Sequence, residues 1–125
     1  MIKIIDGVLY DTAEFRKICH VDENNLELAV KHVRGERYNP YSEMGTWREY
    51  SCYLYAKATD VYVLEIQGTF LLDDDECPRG TVTDGNVRWE ISEVLVVNEA
   101  IAKMLVEHDG DPTKWFECFG EPQDA

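Results

Sequence analysis

The sequence predicts an α+β domain over residues 1–125: an antiparallel, twisted sheet of about five strands with two C-terminal helices packed against it. Three observations predict this. The order of patterned segments is mostly strands first, and two capped, helix-patterned segments follow. Apolar residues make up 45% of the 125 residues, enough for one core and too few to build two. No internal repeat divides the chain.

At the start, Lys3-Ile4-Ile5 and Val8-Leu9-Tyr10 flank Asp6-Gly7, and Asp-Gly between apolar runs signals a tight hairpin. Ala13–Val21 fits two patterns. Asp11 and Glu14 can form a capping box and open a helix, whereas Phe15, Lys17, Cys19 and Val21 alternate with their neighbours as in a strand. Leu26, Ala29, Val30 and Val33 form a helical stripe that Asn25 can cap and Gly35 can end, although Leu26, Leu28 and Val30 also fit a strand. The short helix is preferred here. Gly35–Gly45 is a loop by composition, with two Gly, one Pro, Asn and Ser.

The strongest β signal follows, where Trp47–Ala58 and Val61–Phe70 flank Thr59-Asp60. A two-residue turn there sets Tyr55 against Leu64, Tyr53 against Ile66, Ala56 against Val63 and Leu54 against Glu65. Such cross-strand pairs each stabilise a sheet by about 0.2–1 kcal/mol. Thr-Asp lacks glycine, so a looser loop is the alternative. Leu71–Gly85 is a polar excursion whose four consecutive acids, Asp73 to Glu76, cannot be buried together. Val87–Val96 reads as another strand. Asn98 caps a helix over Glu99–His108, with Ile101, Met104, Leu105 and His108 on one face and Gly110 as its stop. Asp111-Pro112 starts a second helix with an apolar face of Trp115, Phe116 and Phe119, ended by Gly120 and Pro122.

Charge narrows the function. Residues 1–62 hold 10 acids and 8 bases, a net of −2, while residues 63–125 hold 15 acids and 4 bases, a net of −11. A direct nucleic-acid binder needs a basic face, which a total of −13 opposes. A negative field of this size attracts basic surfaces, or it serves solubility alone. Ile2–Leu9 is too short, and too interrupted by Lys3 and Asp6, for a signal peptide, and no run is long and apolar enough to span a bilayer. The expected location is therefore the cytosol, with Cys19, Cys52, Cys77 and Cys118 as thiols.

Catalytic chemistry finds little footing. Cys19 and His20 are neighbours, and on a strand they point to opposite faces. No Gly-rich phosphate loop, G-x-S-x-G or H-E-x-x-H occurs. The nearest metal set is Cys77, His108 and Cys118, which lacks a C-x-x-C pair. The acidic run lacks the Gly and distal Glu of an EF-hand. The expectation is a non-enzyme with no cofactor and no metal, and a small metal or thiol enzyme is a remaining alternative.

Binding chemistry is richer. Asp73, Asp74, Asp75 and Glu76, with Glu65, Asp84, Glu90 and Glu93, can form an acidic ridge whose carboxylates occupy the phosphate positions of a duplex and pair with Arg and Lys in a protein's nucleic-acid groove. Tyr38, Tyr41 and Trp47 can add aromatic anchors, or simply cover the edge of the core. The partner expected is a protein with a basic groove. A second copy of this chain is the other candidate, in an accessory protein whose acidity serves solubility.

Three segments also resemble a group of small, largely uncharacterised proteins from phages, prophages and other mobile elements of Gram-positive bacteria. Ile5-Asp6-Gly7-Val8-Leu9-Tyr10-Asp11-Thr12 is similar to their I-x-G-x-x-Y-[DN]-T opening. Leu54–Gly68 is similar to their L-Y-x-x-x-x-G-x-Y-F-L-Y-G-x-G segment, and Val97–Gly120 to their L-T-E-E-E-A-x-x-W stretch and closing helix. This covers about half the chain, through motifs that are not chemically specific. The turn here lacks the usual Gly, Leu105 stands where an aromatic is common, and segments 23–46 and 71–86 look inserted. The resemblance implies that Ala13–Val21 is a strand and that the protein comes from a mobile element. It implies no activity. Small acidic proteins of such elements include inhibitors of host defence, among them anti-CRISPR proteins and nucleic-acid mimics, so by analogy the partner would be a defence machine such as a CRISPR effector.

Overall fold

The computed structural model describes residues 1–34, 46–58, 60–73, 81–83 and 86–124, with side chains described except at 34, 46–48, 70–73, 81–83 and 86–89. The chain runs β1 (Ile2–Ile5), β2 (Val8–Asp11), a 3-10 turn (Thr12–Glu14), β3 (Arg16–His20), α1 (Glu23–Arg34), β4 (Thr46–Lys57), β5 (Val61–Asp73), β6 (Thr81–Thr83), β7 (Asn86–Val97), α2 (Glu99–Asp109) and α3 (Pro112–Phe119). The main sheet is antiparallel with strand order β3-β4-β5-β7-β6, and β1-β2 form a separate two-stranded sheet. This is the α+β architecture the sequence predicts.

The first hairpin follows its turn chemistry. Ile5 pairs with Val8, leaving Asp6 and Gly7 as the two loop residues at φ 52° and 78°. Both positive angles are what a tight hairpin turn requires, and Asp and Gly tolerate them best. Residues 13–21 combine both readings of the sequence. Asp11 Oδ1 accepts from the Ala13 amide at 3.0 Å and starts only a single 3-10 turn, after which β3 pairs with β4. The α1 cap differs from expectation. Asp22 accepts from the Asn25 amide at 2.8 Å, so the helix begins three residues before Leu26, at Glu23. Leu26, Ala29 and Val30 are buried, whereas Val33 is 39% exposed. The expected loop at 35–45 lies outside the described residues.

The β4–β5 register is one residue off the expected one. Lys57 pairs with Val61, which leaves a three-residue connection, 58–60, with Ala58 at φ 56°. Tyr55 therefore faces Val63, Leu54 faces Leu64 and Tyr53 faces Glu65. The looser turn wins because it puts Cys52 and Leu54 of β4 on the same face as Leu64 and Ile66 of β5. Cys52, Leu54, Leu64 and Ile66 are all fully buried, and a one-residue slip would send one strand's set to the other side.

That face carries the helices. Asn98 caps α2 by accepting from the Ile101 amide at 2.9 Å, and left-handed Gly110 closes it, its amide reaching the carbonyls of Val106 and Glu107. The buried stripe is Ile101, Ala102, Leu105 and Val106. His108, expected on that stripe, is exposed in the last turn, because the stripe's axis runs between Ile101–Leu105 and Ala102–Val106 and carries position 108 off the core. Asp111 caps α3 and Pro112 occupies its first turn. Trp115 and Phe119 pack on the core with ring centroids 4.8 Å apart, and Phe119 reaches Tyr62 at 5.8 Å. Phe116, expected on the same face, is 50% exposed. Cys118 takes its place against the core, and Arg16 reaches across from β3 to the Glu117 carbonyl at 3.3 Å.

Candidate protein-binding surface

Strand parity decides what the predicted acidic ridge can be. Cross-strand partners in an antiparallel ladder share a face. Glu65 pairs with Val94 and Glu90 with Thr69, so both lie on the sheet face away from α2. Glu93 pairs with Ile66, which is fully buried under the helices, so it points to the other side. The three carboxylates therefore do not form one ridge. Sequence spacing alone carried this signal, because positions 90 and 93 differ by an odd number.

Glu65 is committed inside the fold. Its side chain is only 13% exposed, its Oε1 accepts from Gln67 Nε2 at 3.2 Å, and the Met1 amine lies 3.9 Å away. The Tyr55 phenol also bonds to it. Burial first, then this bond, push the Tyr55 hydroxyl up to about 12. A carboxylate this enclosed cannot meet a partner's guanidinium without losing these contacts. Glu90 is the exposed member, and it accepts from Thr69 Oγ1 at 3.3 Å. Glu93 is half-buried and engaged.

Asp73 is the last residue of β5, and its backbone pairs with Asn86, four ladder steps from Glu90. At the usual rise that is about 13 Å along the strand. Trp47 stands in β4 opposite Phe70, with its side chain outside the described set. Asp74, Asp75, Glu76, Asp84, Tyr38 and Tyr41 lie outside the described residues.

A second acidic region lies outside the predicted ridge. Residues 99–125 hold seven acids and two bases, a net of −5. Both bases are already spoken for, Lys103 by Glu99 at 3.3 Å and Lys114 by Asp109 at 2.9 Å. Glu107, Asp111, Glu117 and Glu121 are exposed. The signal was available as a charge count over the two helices.

The reactive groups are quiet. Cys19, Cys52 and Cys118 are free thiols. Burial pushes the Cys19 thiol up to about 11 and the Cys52 thiol up to about 12, the reverse of what a nucleophile needs. Cys118 is also raised by burial, although Arg16 Nη2 lies 3.7 Å from its sulfur. Among the described residues no three His, Cys, Asp or Glu side chains are grouped to hold a metal ion, and Cys77 lies outside them. No described helix is long and apolar enough to cross a membrane.

The hairpin offers a different surface. Ile4 and Leu9 are cross-strand partners, 72% and 62% exposed, beside Ile2 at 63%. Val8 is 51% exposed at the turn. No protein-family model, no curated protein and no solved structure matches the chain.

Proposed function

We propose that this chain is a non-catalytic acidic binding protein of a phage or mobile element. It acts in the host cytosol, where it inhibits a nucleic-acid-handling defence machine such as a CRISPR effector by offering carboxylates to a basic groove. The observation that carries this reading is the net charge of −11 concentrated in residues 63–125. The buried, protonated thiols favour binding over cysteine chemistry. The β5–β7 ladder runs unbroken from Tyr62–Val97 to Asp73–Asn86, about 36 Å at the usual rise, which is close to one turn of a duplex. It is a stiff base for the acidic segment that starts at Asp73.

The experiment is affinity capture from nuclease-treated bacterial extract at low and high salt, using the native chain and a variant with Asp73→Ser, Asp74→Asn, Asp75→Ser and Glu76→Asn. The expected result is a stoichiometric nucleic-acid-binding protein held at low salt, released at high salt and absent from the variant. Equal capture by the variant would remove Asp73–Glu76 as the contact.

A second reading, self-association as an accessory protein, is favoured by the exposed apolar hairpin. It predicts a dimer in sedimentation that Ile4→Ser with Leu9→Ser converts to monomer. A monomeric native chain at high concentration would eliminate it.

A further inference from the structure

Two adjoining clefts, of about 370 and 580 Å³, open beside α2, α3 and the residues that follow them. They share Glu107, Trp115 and Pro122, so Trp115 stands between them as a common wall. The first is predominantly apolar, built from Val106, Pro112, Trp115 and Pro122 over the Gly110 turn. The second adds the Phe119 ring and is bordered by Glu121. Three carboxylates edge the pair, those of Glu107, Asp111 and Glu121, against one cation, Lys103.

These groups are not equally available. Asp111 accepts from the Thr113 amide at 3.0 Å and so holds the start of α3. Lys103 is bound to Glu99, and its ammonium also sits 5.6 Å from the centre of the Phe119 ring and 6.0 Å from that of Trp115. The aromatic faces thus already carry their cation, and an incoming one has its place at the rim. Glu107 and Glu121 are exposed, and among the described residues neither has an ion-pair partner.

We propose that this acid-rimmed groove, apolar in its first cleft and largely polar in its second, docks a short basic segment of a partner protein, with an aliphatic or aromatic side chain against Trp115 and an adjacent Arg or Lys at Glu107 and Glu121. Charge complementarity selects the occupant. An acidic or purely apolar segment would leave two carboxylates facing it without a counter-charge, whereas a guanidinium can engage them through charge-assisted bonds. A rigid aromatic ring that lines the cleft together with Pro112 and Pro122 supplies contact area at small entropic cost, as in other grooves that take extended peptides. The groove does not include Asp73–Glu76, so it stands or falls separately from the acidic segment's role.

The test selects from a library of random dodecapeptides against the full chain and measures the recovered peptides by calorimetry. Recovered sequences are expected to place Arg or Lys within two residues of a large apolar side chain. Their binding should weaken about tenfold or more with Glu107→Lys plus Glu121→Lys, and similarly with Trp115→Ala. A control of equal charge, Asp6→Lys in the hairpin turn plus Glu90→Lys on the sheet face away from α2, should leave binding within about twofold at physiological salt, where remote charges are screened. The double rim variant changes exposed residues only, so it remains informative should Trp115→Ala unfold. Recovery of no peptide, of peptides without basic residues, or equal weakening by the control would each overturn the proposal.

Discussion

The β1–β2 hairpin and the α2–α3 pair flank the same central strands, yet different physics holds each. The hairpin is shaped by its turn. Asp6 and Gly7 fix the backbone, while Ile2, Ile4 and Leu9 remain in water. The helix pair is shaped by burial. Its caps at Asn98 and Asp111 set the ends, but Ile101, Ala102, Leu105 and Val106 hold it on the sheet. Local chemistry can therefore specify an element without stabilising it much, whereas burial does both.

The contrast can be broken at three points of decreasing size. Leu105→Ala, under the helices, is expected to cost about 2–5 kcal/mol in denaturant unfolding, since Leu105 is 3% exposed and its loss leaves a cavity. A loss below about 1 kcal/mol would mean that the helices are only loosely attached. Alkaline pH comes next. Cys19 and Cys52 titrate near 9.0 in an unfolded chain, but burial holds them at about 11 and about 12 in the native one. Above pH 9 the unfolded chain gives up protons that the native chain keeps. Stability is therefore undiminished below pH 9 and falls as the pH climbs through the 9–12 window. Cys19→Ala plus Cys52→Ala should flatten that fall in a pH series of melts. An unchanged slope would contradict it. Smallest for the whole molecule is Gly7→Val. A Cβ there meets nothing within 4 Å, so the cost is backbone strain alone, about 1–2 kcal/mol at φ 78°. Amide exchange over residues 2–11 should quicken while cooperative melting moves less than for Leu105→Ala. A shift as large would show that the hairpin and the core unfold as one unit.

What was legible in the sequence divides along the same line. Signals contained in two or three adjacent residues were readable, as with Asp6-Gly7, Asn98, and Asp111-Pro112. Signals that depend on how two segments meet were not. The β4–β5 slip turns on which faces bury Leu54 and Leu64 together; the missing glycine at Thr59-Asp60 permits a looser loop but does not say which register it sets. Phe116 looks as apolar as Phe119, but only Phe119 lies over Tyr62. Asp22 outcompeted Asn25 as the α1 cap because an earlier start adds a turn of helix, a gain that capping preference at one residue does not reveal. The candidate site was less legible than the fold. A count of acids assigns no faces, so it sets Glu93 beside Glu90 when the pleat separates them.

The register shift in β3 bears on how this chain can vary in length. Lys17 pairs with Tyr55 and Cys19 with Leu54, so Ile18 is an extra residue bulged toward the core, and it and Cys19 are buried in succession. Removing Ile18 would leave Arg16, Lys17, Cys19 and His20 opposite their present partners, with ordinary alternation restored. Most single-residue deletions in a paired strand turn over everything downstream. At this point of β3 a one-residue deletion would be absorbed at the cost of one apolar side chain, with the neighbouring pairings kept.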